Sequence, residues 1–323
     1  MKKIFVMAAM VLGVSAAYAG DSEPLKAITK SKTYAEAEAL LNSTLDQLAS
    51  PQEKAKAYNK LYELSIKDFE TVSAVIAENQ KAAVMKTDQK AYDTASYYNS
   101  AYNAVKAAVE CDKYDGQPDA KGKVKIAYRK DEVRLQKLMQ ARLELVNAGQ
   151  WIDGKNDESG LLKYWGLFLN SRNTSLFEKL PKEPFLGQVA FYAGAYAERA
   201  GQLEQADKYF DIAMQDPEWA EKAQNAKFEV AGKNLKTQAD TLRYIGQLKE
   251  LYTQKNSEVA FSVLCKLYSS SNMTKDLNAL VEDMLKKNPK NFLALAYHTQ
   301  AVADSVSRQE ETQNWDAAIE AYK

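Results

Sequence analysis

Three stretches in the second half of the chain share one interval. In "FYAGAYAERAGQLEQADKYFDIAMQDPEW" Gly194 precedes Ala206 by twelve positions, with Gly201 between them. In "FSVLCKLYSSSNMTKDLNALVEDMLKKNPKN" Cys265 precedes Leu277 by twelve, and in "LVNAGQWIDGKNDESGLLKYWGLFL" Ala148 precedes Gly160 by twelve. An interval of this size fits two helices joined by a tight turn, the small side chains letting the backbones approach. Ala206, Phe210 and Ala213 fall on one helical stripe, four and three residues apart. Such a stripe suits a ring pressed against a close neighbour, and Pro217 then ends the helix because the residue before a proline avoids helical geometry. A lone hairpin of this kind cannot bury its faces, so copies must stack.

Small-x-x-aromatic in one helix, then Ala-x-x-x-aromatic, then proline, resembles the tetratricopeptide pattern. Phe261, Leu264, Cys265 and Tyr268 follow its first half, with cysteine in place of the usual glycine. Ala206, Phe210, Ala213 and Pro217 follow its second half, the proline one residue early. A weaker unit between Glu221 and Ser257 offers Phe228, Ala231, Ile245 and Leu248 for a hairpin. The unit from about Arg142 has the linker "NSRNTSLFEKLPKEP" where the pattern has proline. The resemblance covers roughly Ala141 to the end and implies an all-α fold, an α-solenoid of stacked helical hairpins. At the end of the chain, Ala318 and Tyr322 match the opening of a second helix that stops at Lys323. The last repeat is read as incomplete, in a chain expected to continue, with Trp315, Ile319 and Tyr322 packing on the preceding helix.

Composition agrees with helices: the 323 residues include only 13 Gly and 7 Pro, both poor in helix interiors. Residues 1–19 read as a secretory signal, with Lys2 and Lys3 before the apolar run Ile4–Ala17 and Ala17-Tyr18-Ala19 as the cleavage site. The run is short for a membrane span of about 20 residues. No later segment is long and apolar enough to cross a membrane. Cleavage would leave Gly20 first rather than cysteine, so no lipid anchor is expected. The exported chain is placed in the periplasm, or outside a cell that lacks an outer membrane. Removal of Lys2 and Lys3 takes the net charge from +0 to about −2, which offers no electrostatic footprint for nucleic acid. Export permits a disulfide between Cys111 and Cys265, but a chain this long can bury a core without one, and two separate thiols are expected.

Residues 20–118 form an N-terminal helical region, read as degenerate hairpins with a capping bundle as the alternative. Ser50-Pro51 marks a helix start, and two further helices are expected near Phe69–Met85 and Gln89–Cys111. The polar break "DKYDGQPDAKGK" marks a boundary. Residues 119–140 are then a linker and a helix leading into the array at 141–323, with a short strand possible in "KVKIAYR".

Few residues suggest chemistry. One histidine and two scattered cysteines supply no spaced metal-ligand set, and no glycine-rich phosphate loop occurs, so no metal or cofactor is expected. His298 lies where the resemblance places an inward packing residue. Its approach to Cys265 is conceivable as a nucleophile pair, though both positions look structural. Asp131–Glu132 and Glu310–Glu311 read as solvated faces, and most of the 19 tyrosines as filling between helices.

The resemblance also implies a groove lined by the first helix of each repeat, holding a peptide or a partner helix. On that face stand Gln188, Phe191, Glu198 and Arg199, then Val259, Ser262 and Lys266, and Arg142 with Leu145 in the earliest unit. The carboxylate clamp of chaperone-binding relatives is excluded, because Phe191, Leu145 and Ser262 occupy the position of its lysine. The function expected is a non-enzymatic scaffold or adaptor that binds a protein or peptide partner through Gln188, Phe191, Glu198, Arg199, Lys266 and Arg142. A sugar-binding accessory protein of an outer-membrane uptake system is the alternative, and an all-helical hydrolase a more distant one.

Overall fold

The structure is a computed structural model that describes residues 20–155, 157–181, 183–307 and 319–320. The expected signal, 1–19, lies outside the described residues, as do Glu310, Glu311, Trp315, Ala318, Tyr322 and Lys323. Among the described residues there are thirteen α-helices and no strand. The chain is all-α and divides into two compact units, one ending at Pro181 and the other starting at Lys182.

The first unit holds α1 (Glu23–Lys30), α2 (Tyr34–Thr44), α3 (Pro51–Met85), α4 (Thr94–Asp115), α5 (Glu132–Asp153) and α6 (Glu158–Ser171). Ser50 is extended and its hydroxyl accepts the amide of Glu53, with Pro51 in the first turn, a start that the Ser-Pro pair announced. Glu53 is itself buried. Its carboxylate accepts the amides of Ala49 (2.8 Å) and Ser22 (2.6 Å) and the hydroxyl of Ser22 (2.7 Å), so the α3 cap also ties down α1.

The helix expected near Phe69–Met85 is the second half of α3, which runs unbroken for 35 residues. The helix runs on through Ser65, whose buried hydroxyl is satisfied by the Leu61 carbonyl one turn back. None of residues 70–85 is buried. The return loop is held to this part of the helix by Asn79, which accepts from the Lys90 amide and donates to its carbonyl, both at 2.7 Å. Helix α4 begins at Thr94, capped by Asp93, later than the Gln89 expected. "KVKIAYR" forms no strand. The amides of Ala127 and Tyr128 are satisfied by the buried Asp115 carboxylate at 2.9 Å, and Arg129 pairs with Asp112 at 2.6 Å. These bonds hold the segment against the end of α4 in place of a neighbouring strand.

The second unit holds α7 (Leu186–Arg199), α8 (Leu203–Ala213), α9 (Ala220–Lys233), α10 (Gln238–Lys255), α11 (Glu258–Ser270), α12 (Thr274–Lys287) and α13 (Phe292–Ser307). The α7–α8 and α11–α12 turns match bond for bond. Gly201 and Asn272 are 71 residues apart (272 − 201) and both are left-handed, with φ +73° and +55°. In the first turn Gln202 donates to Ala197 (2.8 Å) and Gly201 to Glu198 (3.0 Å); in the second Met273 donates to Tyr268 (2.8 Å) and Asn272 to Ser269 (3.2 Å). The same offset carries Gly194 onto Cys265, Ala206 onto Leu277 and Phe210 onto Val281. A Cβ built on Gly194 would stand 2.5 Å from Cε1 of the fully buried Phe210 ring. Gly194 therefore exists to admit that ring, and Ala206 and Ala213, also fully buried, flank it. Cys265 and Leu277 share one apolar cluster with Tyr268, Val281 and Met284. Helices α7, α8 and α9 pack in succession, as do α10 to α13, while α9 also touches α7 and α11; α10 is tied to α9 by the Tyr244 hydroxyl, which donates to the Phe228 carbonyl at 2.6 Å.

Candidate functional site

A cavity of about 580 Å³ opens between α9, α11 and the start of α13. Asn225, Ala226 and Glu229 line it from α9, and Glu258, Val259 and Ser262 from α11, with the buried Phe261 and Val263 at its base. Asn291, Phe292 and Leu293 close the third side. Asn291 accepts the Ala294 amide at 3.0 Å and so starts α13, leaving Phe292 at the first helical position with 85% of its surface exposed. No residue of α10 or α12 lines the space. Helices α10 and α12 pack on α11 and stay out of this opening.

Ion pairs span these first helices. Glu198 of α7 reaches Lys233 of α9 at 2.8 Å, and the carboxylate keeps the lysine protonated to higher pH than usual. One turn earlier on α9, Glu229 meets Lys266 of α11 at 3.0 Å. The second pair is exposed on both sides, and exposed pairs contribute about 0–1 kcal/mol; it sets side-chain positions more than stability. Glu258 makes no ion pair among the described residues.

The residues expected to bind a partner separate into three groups. Val259 and Ser262 line the cavity, and Lys266 stands at its rim through Glu229. On α7, Gln188 and Arg199 are exposed, Arg199 with its guanidinium 4.3 Å from the centre of the Tyr196 ring. Phe191 is half-buried, its ring 5.2 Å from Trp219 and 5.8 Å from Phe210, so it is engaged within the unit. None of these α7 residues lines the cavity. Arg142 departs from expectation. It belongs to the first unit, is 2% exposed, donates to Ser171 Oγ (3.0 Å) and the Phe168 carbonyl (2.9 Å), and lies 4.2 Å from the centre of the Phe168 ring. It is a core residue that joins α5 to α6, because the last turn of α6 supplies the acceptors a guanidinium needs.

His298 is exposed, not inward. Helix α13 packs through Leu293, Ala294 and Tyr297, and His298 is turned away from that stripe. Burial raises the pKa of the Tyr297 hydroxyl, and the Cys265 thiol adds to it in smaller part. Both cysteines are free and buried, and burial pushes each thiol up to about 12. A nucleophile pair of Cys265 and His298 does not form. Among the described residues no group of three or more His, Cys, Asp or Glu side chains is placed to hold a metal ion, and no helix is long and apolar enough to cross a membrane. Asp131 caps α5 by accepting the Arg134 amide.

Asn225, Glu229, Glu258 and Phe292 were missed in the sequence. The signal for Phe292 was present in "KNPKNFLALAY": a bulky apolar residue directly after a capping asparagine, ahead of the stripe that packs. Compared with known proteins, the chain matches no family model and no curated protein.

Proposed function

We propose that the chain is an exported, non-enzymatic display protein of the tetratricopeptide kind, whose second unit is an α-solenoid that binds a segment of a partner protein. The observation that carries this reading is the cavity built from first helices alone, with an exposed aromatic ring at its rim and buried apolar side chains at its base. An apolar anchor on the partner would enter above Phe261 and Val263, Phe292 would cover it, and Glu258 and Glu229 would face its polar flank. The matched turns at Gly201 and Asn272 support a repeated hairpin, and the pairs Glu198–Lys233 and Glu229–Lys266 support alignment of the first helices in one row. A hydrolase has less support, since Glu229 and Glu258 stand on an open rim and one of them is paired with a lysine.

Affinity capture from the exported fraction tests the reading, with the parent chain set against Phe292→Asp and Val259→Arg. Proteins retained by the parent and lost from both variants, with helical content unchanged, are expected. The same set of proteins retained by all three would refute a role for this groove. N-terminal sequencing of the exported chain should begin at Gly20.

A further inference from the structure

The first unit contains a second opening of about 300 Å³ between α2, α3 and α4, and its lining is mostly polar. Helix faces turned toward one another are ordinarily apolar at i, i+3, i+4 and i+7. Helix α4 packs through such a face, Tyr97, Ala101, Ala104 and Ala108. Beside it Ser96, Asn99, Ser100 and Asn103 keep the same spacing with polar side chains and line the opening, together with Ser65, Asp68 and Val72 of α3 and Tyr34 of α2.

The protons of these groups are already committed. Ser65 donates to the Leu61 carbonyl, Ser100 to the Tyr97 carbonyl, Ser96 to Asp93, and Tyr34 to Glu38, at 2.7–2.9 Å. Asn99 Oδ1 accepts from Lys163 Nζ (2.8 Å) and Tyr164 Oη (3.0 Å), which fixes the amide and leaves its Nδ2 hydrogens to the opening. Lys163 is held there partly buried, and that burial lowers its pKa. Asn103 and Asp68 make no hydrogen bond or ion pair among the described residues. The opening therefore offers two amide donors, a carboxylate, an amide oxygen and serine lone pairs, beside the Tyr34 ring and Val72. A hydroxyl group both donates and accepts, so several on a small ring would satisfy this alternation, with the ring's C–H face against Tyr34. The volume is at the lower end of the about 300–1,000 Å³ found for ligand sites, which limits the guest to one small ring.

We propose that this opening is a binding site for a neutral polyhydroxylated ring of monosaccharide size, with Asp68 and Asn103 recognising adjacent hydroxyls and Asn99 donating to a third. The site is independent of the groove in the second unit and stands or falls without it.

The test uses the full exported chain, with D-glucose, D-galactose, D-mannose, N-acetyl-D-glucosamine and myo-inositol as probes. Binding is read by saturation-transfer NMR and titration calorimetry. At least one probe is expected to bind at millimolar concentration. Its affinity should fall about tenfold or more in Asp68→Ala, which removes the charged acceptor, and in Asn103→Leu, which fills the opening. Phe292→Asp should leave it unchanged. If Asn103→Leu does not fold, as judged by its thermal melt, the exposed Asp68→Ala decides. The proposal is overturned if no probe binds, or if a bound probe is held equally well by Asp68→Ala.

Discussion

Replacing Gly194 by alanine tests the packing of the α7–α8 hairpin. A helix interior gains about 1 kcal/mol when glycine becomes alanine. At Gly194 the added carbon would lie 2.5, 2.7 and 2.9 Å from three atoms of the Phe210 ring, whereas carbons rest about 3.5–4.0 Å apart. The ring must retreat by about 1 Å (3.5 − 2.5). It has no free direction, being fully buried with the Phe191 ring tilted against it. Overpacking of this kind costs about 1–3 kcal/mol, so the net effect is a loss of about 0–2 kcal/mol. Gly246, in α10 of the same unit, is the control. It is exposed, and nothing lies within 4 Å of its built Cβ, so Gly246→Ala should gain about 1 kcal/mol. Urea unfolding followed by far-UV circular dichroism would measure both, the two variants differing by about 1–3 kcal/mol. If Gly194→Ala stabilises the chain as much as Gly246→Ala, the close approach of Phe210 is wrong.

Other outcomes follow from the same physical reasoning. Burial raises both thiols from 9.0 to about 12, so each contributes stability that is complete below pH 9 and lost as pH rises from about 9 toward 12; Cys265→Ala should flatten that part of the pH–stability curve measured by urea unfolding. Arg142→Ala leaves the Phe168 carbonyl without its guanidinium partner and should cost about 1–3 kcal/mol in thermal or urea unfolding, while partner capture through the second unit is unchanged. His298→Ala should alter stability by less than about 0.5 kcal/mol, and Phe292→Ala should be equally mild in unfolding yet weaken partner capture.

The hairpins of the second unit were legible because their determinants are local. A ring needs a small residue opposite it, and a tight turn fixes the interval between the two, so Gly194 and Phe210 announce each other from sixteen residues apart. The first unit was harder to read for the opposite reason. Helix α3 runs on through Ser65, whose buried hydroxyl finds its acceptor one turn back, a partner that the pattern does not name. The burial of Glu53 depends on Ser22, 31 residues earlier. Arg142 and His298 show the same limit: both were placed on the correct helices, but the face each would present depended on neighbours that spacing does not name. Of the cavity lining, Val259 and Ser262 were on the expected face. The rim was not anticipated, because Phe292 gains its role from being left outside the stripe that packs.

The unburied second half of α3 has a consequence for how the chain responds to heat. Residues 70–85 add sixteen positions, roughly 24 Å at about 1.5 Å per residue, to a helix whose first half is already fixed in the core. Starting a helix is the unfavourable step, and extending one is close to neutral, so this segment persists by growing from an ordered end. It should shorten from Met85 inward, turn by turn, as temperature rises, with the Asn79–Lys90 clasp as the first point of resistance. Helical signal would then decline gradually below the main transition while the side chains around Phe69 and Tyr97 remain packed. A sloping baseline in a melt of this protein would therefore measure the length of one helix, and need not signal a loosening core.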